Sequence, residues 1–476
     1  MKPIKFGTDG WRGVIAEDFT FENVSRVAQA AAKFWRENPV PGTAPVVVIG
    51  YDRRFMSEDF ARLSAEIIAA NGLQVYICDE AQPTPVISFA VKNLNAIGGV
   101  MITASHNPPR FNGFKLKAYF GGSAPPEICR QVEELLDKEH VQKTDLDSGI
   151  REGKIRIFRP ERTYIKAVKK LVDFNTIARA RLKVAHDAMF GSAAGWFEKI
   201  LRDTTCEVIT INGTRDPLFG GINPEPIEKN YVYSKQFLRK FPQDICIATD
   251  GDGDRIGALD GHGRAFTTHQ VICLVLYHLL KNRKSKGRVV KALTTTSMVD
   301  KICEEYGLQL TETGVGFKYI CAEMLKGDVL LGAEESGGIG VAGHIPERDG
   351  IVAGLMLLEL LAVERKSPRA ILAQLHRKYG LHVYDRIDIN YPLEKRHQLI
   401  DTLKQNPPEK LLSKPVVKLT TFDGVKMYTS DGSWLMFRPS GTEPILRIYA
   451  ESNSTKNVNG LLSIGLKIAK RVAGQK

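Results

Sequence analysis

Asp250-Gly-Asp-Gly-Asp-Arg255 is the densest chemical feature of the chain. Its three carboxylates, Asp250, Asp252 and Asp254, stand at i, i+2 and i+4 with glycines between them, so the backbone can fold until their oxygens converge on one point. Converging anions are costly without a cation, and an all-oxygen donor set selects a hard divalent ion. The run departs from the EF-hand pattern, because Arg255 stands where that loop needs glycine and Gly261 where it needs glutamate. Mg²⁺ suits it better: that ion keeps open positions for phosphate oxygens, and Arg255 can hold an anionic ligand beside it.

Thr103-Ala-Ser-His-Asn-Pro-Pro109 follows an apolar run and offers Ser105 as a nucleophile at a strand end; read alone, such a loop is more often an ordinary Ser/Asn/Pro turn. Gly332-Ala-Glu-Glu-Ser-Gly-Gly338 carries Glu334 and Ser336 on glycine hinges, able to grip the vicinal diol of a sugar or to be an exposed acidic loop. Arg438-Pro-Ser-Gly-Thr-Glu-Pro444 sets an arginine, hydroxyls and amides around a glycine, as a phosphate cradle or a hairpin loop. Arg12, Lys115 and Lys318 each lie in glycine-flanked surroundings that permit close approach of a substrate. Gly338-x-Gly340-x-x-Gly343 lacks the preceding strand of a dinucleotide site. The basic run 281–288 has no interleaved aromatics and reads as a solvated loop rather than a nucleic-acid contact. Neither a P-loop nor a G-x-S-x-G elbow is present.

The elements that must position these loops alternate in character. Val46-Val-Val-Ile, Val75-Tyr-Ile-Cys and Gly99-Val-Met-Ile are separated by helical patterns, one of them from Ser57 to Asn71, which predicts a parallel sheet with helices on its faces. The style repeats around Lys183–Asp250 and again around Val289–Gly332, closing with an apolar helix from Ile351 to Val363. After about His382, short strands broken by Asp423-Gly424 and Asp431-Gly432, then a helix from about Thr455 to Val472, predict an antiparallel α+β unit. At roughly 150 residues per domain, the 476 residues fit three to four domains. We place them at 1–150, 151–262, 263–380 and 381–476: three consecutive α/β domains of similar core and a smaller C-terminal α+β domain around a central cleft.

Hydrophobic residues at 43% and charged residues at 25% exclude disorder, collagen and coiled coil. The formal charge of +12 favours anionic partners without choosing among them. Seven scattered cysteines without a C-x-x-C pair read as buried, reduced thiols. No apolar run reaches the ~18 residues of a membrane span, no targeting segment is read, and a cytoplasmic location is expected.

Taken in this order, the four loop motifs resemble the α-D-phosphohexomutase family of phosphoglucomutases, phosphomannomutases and phosphoglucosamine mutases, over essentially the whole chain. The resemblance implies a four-domain enzyme that moves phosphate between the 1- and 6-positions of a hexose, with hexose 1,6-bisphosphate as intermediate and activator. It implies that Ser105 carries phosphate and that Asp250, Asp252 and Asp254 hold Mg²⁺ together with it, Arg255 alongside. Glu334 and Ser336 would bind sugar hydroxyls, while Arg438, Ser440, Gly441 and Thr442 would bind the phosphate not being transferred. Arg12, Lys115 and Lys318 match positions around proton transfer and the reacting phosphate. A monomer or homodimer without nucleic-acid or membrane partners is expected. Many mannose- and glucosamine-type members carry histidine where Gly338 stands, so a histidine acid or base here would have to be His344; the Glu-Glu-Ser spelling resembles the glucose-preferring branch. The alternatives are a phosphoglucosamine mutase or a metal-dependent sugar phosphatase, with a non-catalytic binder of nucleic acid or sugar phosphate as a third class.

Overall fold

Val47, Val48 and Ile49 are buried on both faces of their strand, which is what a central parallel strand requires. A computed structural model describes residues 4–7, 10–440 and 444–474. In it the strand Ala44–Tyr51 lies parallel between Gln74–Cys78 and Ala96–Ile102. One face is covered by the helices Phe21–Glu37 and Ser57–Ala70, the other by Thr84–Asn93, whose Ile87, Ala90 and Val91 pack on Val46, Val48 and Met101. The strands Phe111–Ala118 and Trp11–Val14 extend the sheet antiparallel at one edge. At the other edge Ile155–Phe158 pairs with Gln74–Cys78, so this sheet takes a strand from beyond residue 150.

A second sheet has parallel strands Glu207–Ile211, Lys183–Asp187 and Ile245–Thr249, continued antiparallel by Ile256–Asp260 and Ala265–Phe266. The apolar segment expected at 351–363 forms the buried helix Gly350–Glu364, N-capped by Asp349, whose Oδ1 accepts from the amides of Ile351 and Val352. Near it, the strands Val329–Ala333 and Ile339–Val341 run antiparallel. Within the basic run, Lys281 pairs with Glu364, and Arg288 with Glu323 and Asp328; these two charges are tied down rather than left to solvent.

The chain divides into two compact units, Met1–Val290 with Gly316–Pro368, and Lys291–Val315 with Arg369–Lys476. In the second, an antiparallel sheet is ordered Val383–Asn390, Ile445–Ser452, Trp434–Pro439, Val425–Thr429, Lys414–Thr420, Lys410–Leu411. The helices Lys395–Gln405 and Thr455–Ala473 close its core through Leu399, Leu403, Leu461 and Leu462. Among the described residues no helix is long and apolar enough to cross a membrane. All seven cysteines are free thiols, and six are buried. The architecture is that expected: three α/β domains followed by an antiparallel C-terminal domain.

One local plan recurs. Residues 103–110, 250–255 and 334–338 each connect a strand to the antiparallel strand that follows it, and in the second unit the strands Trp434–Pro439 and Ile445–Ser452 pair antiparallel. These three motif loops are therefore hairpin connections, with both ends anchored in one sheet.

Candidate active site

Ser105 has a φ of +53°, an uncommon backbone conformation for a side-chain-bearing residue. The conformation is imposed by its surroundings. The Ser105 amide donates to Thr103 Oγ1 at 2.9 Å, and the Thr103 hydroxyl donates to Asp52 Oδ2 at 2.5 Å. Arg54, with no solvent exposure, donates to the backbone oxygens of Ser105, Asn107, Pro108 and Phe111 at 2.6 to 3.0 Å, and its Nε lies 3.2 Å from Asp52 Oδ2. One guanidinium thus gathers the carbonyls of the whole loop.

Held this way, Ser105 Oγ donates to Asp250 Oδ2 at 2.9 Å. Asp250, Asp252 and Asp254 are fully buried, with one ligand atom from each within 4.8 Å of the others. Burial, reinforced by repulsion from Asp252 and Asp254, drives the Asp250 carboxyl well above its usual range. Burial acts on Asp252 in the same sense, but Lys115 and hydrogen bonds, including one from Thr84, overcome it and hold that carboxyl well below. Lys115 Nζ lies 2.9 Å from Asp252 Oδ2 and 3.6 Å from Asp254 Oδ2, while Thr84 donates both its amide, to the Asp252 carbonyl, and its hydroxyl, to Oδ2.

This placement leaves Asp252 Oδ1 and Asp254 Oδ1 buried without a hydrogen-bond partner. Two orphaned carboxylate oxygens beside the Ser105–Asp250 pair form a hard-oxygen donor set, so the residues fit a divalent cation. Gly251 allows the approach, since a Cβ there would come 2.6 Å from the Ser105 carbonyl oxygen.

Arg255 donates its amide to Asp250 Oδ1 at 3.0 Å and directs Nη1 to Glu225 at 3.6 Å. Its backbone bridges to Gly338, and the Ile256 amide donates to the Gly337 carbonyl, so the loop at 334–338 is fastened to the acidic loop by main chain. Glu334 Oε1 accepts from Ser336 Oγ at 2.6 Å. Arg12 donates to Asn107 Oδ1 at 2.8 Å, and His106 Nδ1 lies 3.4 Å from Ser105 Oγ. Burial, then the cations Arg255 and Arg12, push the His106 imidazole well below its ordinary value.

The first unit therefore assembles Ser105, Arg12, Lys115, the three aspartates, Arg255, Glu334 and Ser336. Lys318 Nζ sits 5.0 Å from the centre of the Tyr319 ring, and among the described residues it makes no ion pair with the site carboxylates. His344 does not turn toward Ser105 as a histidine acid or base would have to, because its Nε2 is 2.8 Å from Asp349 Oδ2 and its ring stacks on Phe89. In the second unit Arg438 Nε donates to Asp423 at 3.0 Å, and the Ser440 amide donates to the Ile445 carbonyl. Gly441 and Thr442 lie outside the described residues. Sequence reasoning passed over Asp52, Arg54, Thr84 and Arg348. Tyr51-Asp-Arg-Arg54 after a buried strand was the one available signal, since charges at such a place need partners.

Comparison with known proteins follows the same order of domains. Family models described as Phosphoglucomutase/phosphomannomutase alpha/beta/alpha domains I, II and III match residues 3–143, 162–263 and 267–379, and the C-terminal domain matches 389–463. The chain is 29% identical over 463 residues to a Thermococcus kodakarensis phosphoglucomutase/phosphomannomutase, covering 97% of this chain and 98% of that one. It is 31% identical over 459 residues to a Sulfurisphaera tokodaii phosphoglucosamine/phosphogalactosamine mutase, covering 96% and 97%. A crystal structure from Thermus thermophilus, carrying a provisional phosphomannomutase name, is similar at a TM-score of 0.85 and 35% identity, covering 98% and 99%. The order of the four domains, the full-length matches and the buried acidic loop agree: the chain belongs to the phosphoglucomutase/phosphomannomutase family, and it is an intramolecular phosphotransferase.

Proposed function

We propose that the protein interconverts hexose 1-phosphate and hexose 6-phosphate, with glucose the first substrate and mannose the second, through phosphorylated Ser105 and a hexose 1,6-bisphosphate intermediate that also serves as activator. The observation that carries this reading is Ser105 Oγ at 2.9 Å from Asp250 Oδ2, beside the orphaned oxygens of Asp252 and Asp254. Asp250, Asp252 and Asp254 would hold Mg²⁺ with the Ser105 oxygen. Bound there, Mg²⁺ would neutralise phosphoryl oxygens as charge redistributes during transfer.

The remaining work falls to side chains. Lys115 neutralises Asp252 and Asp254 and stands beside the incoming phosphoryl group, while Arg255 and Arg12 add positive charge near Ser105. Glu334 Oε1 is taken by protein donors, so Oε2 is the oxygen left to accept sugar hydroxyls, with Ser336 beside it. Phosphoserine gives its phosphoryl group to the free sugar hydroxyl, the bisphosphate reverses its orientation, and Ser105 takes the other phosphoryl group back. Arg438 with Ser440, Gly441 and Thr442 is the cradle for the idle phosphate, and Lys318 is the further cation at the reacting end. This assignment implies domains near 1–150, 151–262, 263–380 and 381–476, the first reaching past 150 to include its last strand.

Ser105→Ala should abolish turnover of glucose 1-phosphate while leaving its binding measurable by calorimetry; retained turnover overturns the assignment. Phosphoglucosamine mutase is the second reading, favoured by the 31% identical relative of that name. Relative kcat/KM on glucose, mannose and glucosamine 1-phosphates, with a trace of bisphosphate, decides between them. Inorganic phosphate released without isomerised sugar in the same assay would make water the acceptor.

A further inference from the structure

Arg348 comes from a segment, Glu347-Arg-Asp-Gly350, that none of the four motif loops contains. Its guanidinium divides between two loops. Nη1 donates to Glu334 Oε1 at 2.7 Å and Nη2 to Asp254 Oδ2 at 2.6 Å. The group lies 5.6 Å from the centre of the Phe317 ring, and the side chain is only 8% exposed.

The segment around it is fixed on every side. Glu347, fully buried, pairs with Lys117 at 2.8 Å, accepts from Ser123 at 2.8 Å, and accepts the Arg348 amide on its other oxygen. The Gly350 amide donates to the Gly253 carbonyl, and a Cβ on Gly350 would lie 2.5 Å from the Arg255 carbonyl oxygen. The arginine thus rises from a base that already touches the acidic loop.

Gly338 makes room for it. A Cβ on Gly338 would stand 2.2 Å from Arg348 Cδ and 2.8 Å from Cγ, so a side chain at 338 and this arginine exclude one another. Position 338 is where many mannose- and glucosamine-type members carry histidine, and here its space belongs to Arg348.

We infer that Arg348 is a positioning residue for the phosphotransfer site, setting the carboxylate that faces the sugar at a fixed distance from the acidic triplet, and that Gly338 is small in order to admit it. The inference rests on the reading of Glu334 as the sugar acceptor. Two parallel donors on a rigid plane fix both the direction and the separation of two carboxylates, which an ammonium cannot do. With Oε1 of Glu334 occupied by Arg348 and Ser336, Oε2 is the oxygen turned to substrate; with Oδ2 of Asp254 occupied, the orphaned Oδ1 is the one turned to a cation.

Arg348→Met and Gly338→Ala should each lower kcat/KM for hexose 1-phosphate about 100-fold, with kcat falling and KM rising. The double variant should lose no more than the worse single one, because both remove the same contact. Arg348→Lys should recover less than about a tenth of the loss. Mn²⁺ affinity, read by calorimetry on the same proteins, should rise about threefold in both single variants, since Asp254 loses a neighbouring cation. Should the methionine variant fail to fold, Arg348→Gln takes its place. Wild-type kcat/KM in the variants, or single losses that multiply in the double variant, overturns the inference. A wild-type protein that turns over no hexose phosphate overturns the functional reading instead, and the Mn²⁺ series then decides: unchanged affinity in both variants refutes the role of Arg348.

Discussion

At Asp252 the two carboxylate oxygens have different fates. Oδ2 is saturated by Lys115 and Thr84, whereas Oδ1 is buried with no partner. A buried acceptor left unmet costs about 1–3 kcal/mol, a cost that a cation bound there would offset. Asp252→Asn removes the negative charge and should weaken Mg²⁺ binding at least about tenfold; a calorimetric titration showing unchanged affinity would place the cation elsewhere. At Arg54 the question is one of burial. Arg54→Met leaves Asp52 buried without its guanidinium and frees four carbonyls of the Ser105 loop. A stability loss of about 3–5 kcal/mol is expected, read from urea denaturation, with kcat falling further than KM rises because the nucleophile loses its fixed position.

The hairpin connection is the element that repeats. A loop anchored at both ends in one sheet has little freedom, so its side chains are ordered before substrate arrives. Where two such loops meet, the contact is main chain to main chain, and Gly337 shows why glycine is needed. Its φ is +90°, and a Cβ there would sit 2.3 Å from the Ile256 carbonyl oxygen. Gly337→Ala should therefore cost both backbone strain and a collision, about 2–4 kcal/mol, together with a fall in kcat/KM. Gly42→Ala is the comparison: its φ is +81° but the space around it is open, so it should cost only about 1 kcal/mol. Equal losses at the two positions, measured by chemical denaturation, would show that the collision is relieved by movement of the loop.

On the scale of the whole molecule, the chain folds as two compact units, each with its own core. The second unit buries Lys426 in its sheet. Its Nζ donates to the Leu293 carbonyl at 2.6 Å and lies 4.0 Å from the centre of the Trp434 ring. Burial, then repulsion from Lys291, lowers its amine to about 7, against the pull of Glu312, Asp300 and Glu451. A base whose pKa is depressed by folding binds fewer protons in the native state than in the unfolded one. Stability of this unit should therefore rise, by a few kcal/mol, as pH increases from about 7 toward about 10, and be flat with respect to this group below 7. Denaturation midpoints of wild type and Lys426→Met across that window test it: the gain should vanish in the variant, and parallel curves would refute the assignment.

The sequence by itself determined the alternation of strands and helices, the antiparallel character of the last domain, and the loops that carry Ser105, the aspartates and Glu334. All of these follow from local periodicity and from residue types whose chemistry needs no distant partner to be recognised. It also spelled the helices at 57–71, 351–363 and 455–472 to within a residue or two of Ser57–Ala70, Gly350–Glu364 and Thr455–Ala473. What only the tertiary structure decided was which groups complete the site. Arg54, Thr84 and Arg348 act over separations of 51, 168 and 94 residues, at Ser105, Asp252 and Asp254 respectively. A buried arginine spells no motif, because its role is set by the carbonyls and carboxylates that folding brings to it. His344 shows the converse: it is suitable chemistry in a promising setting, and its contact with Asp349 fixes where the side chain points.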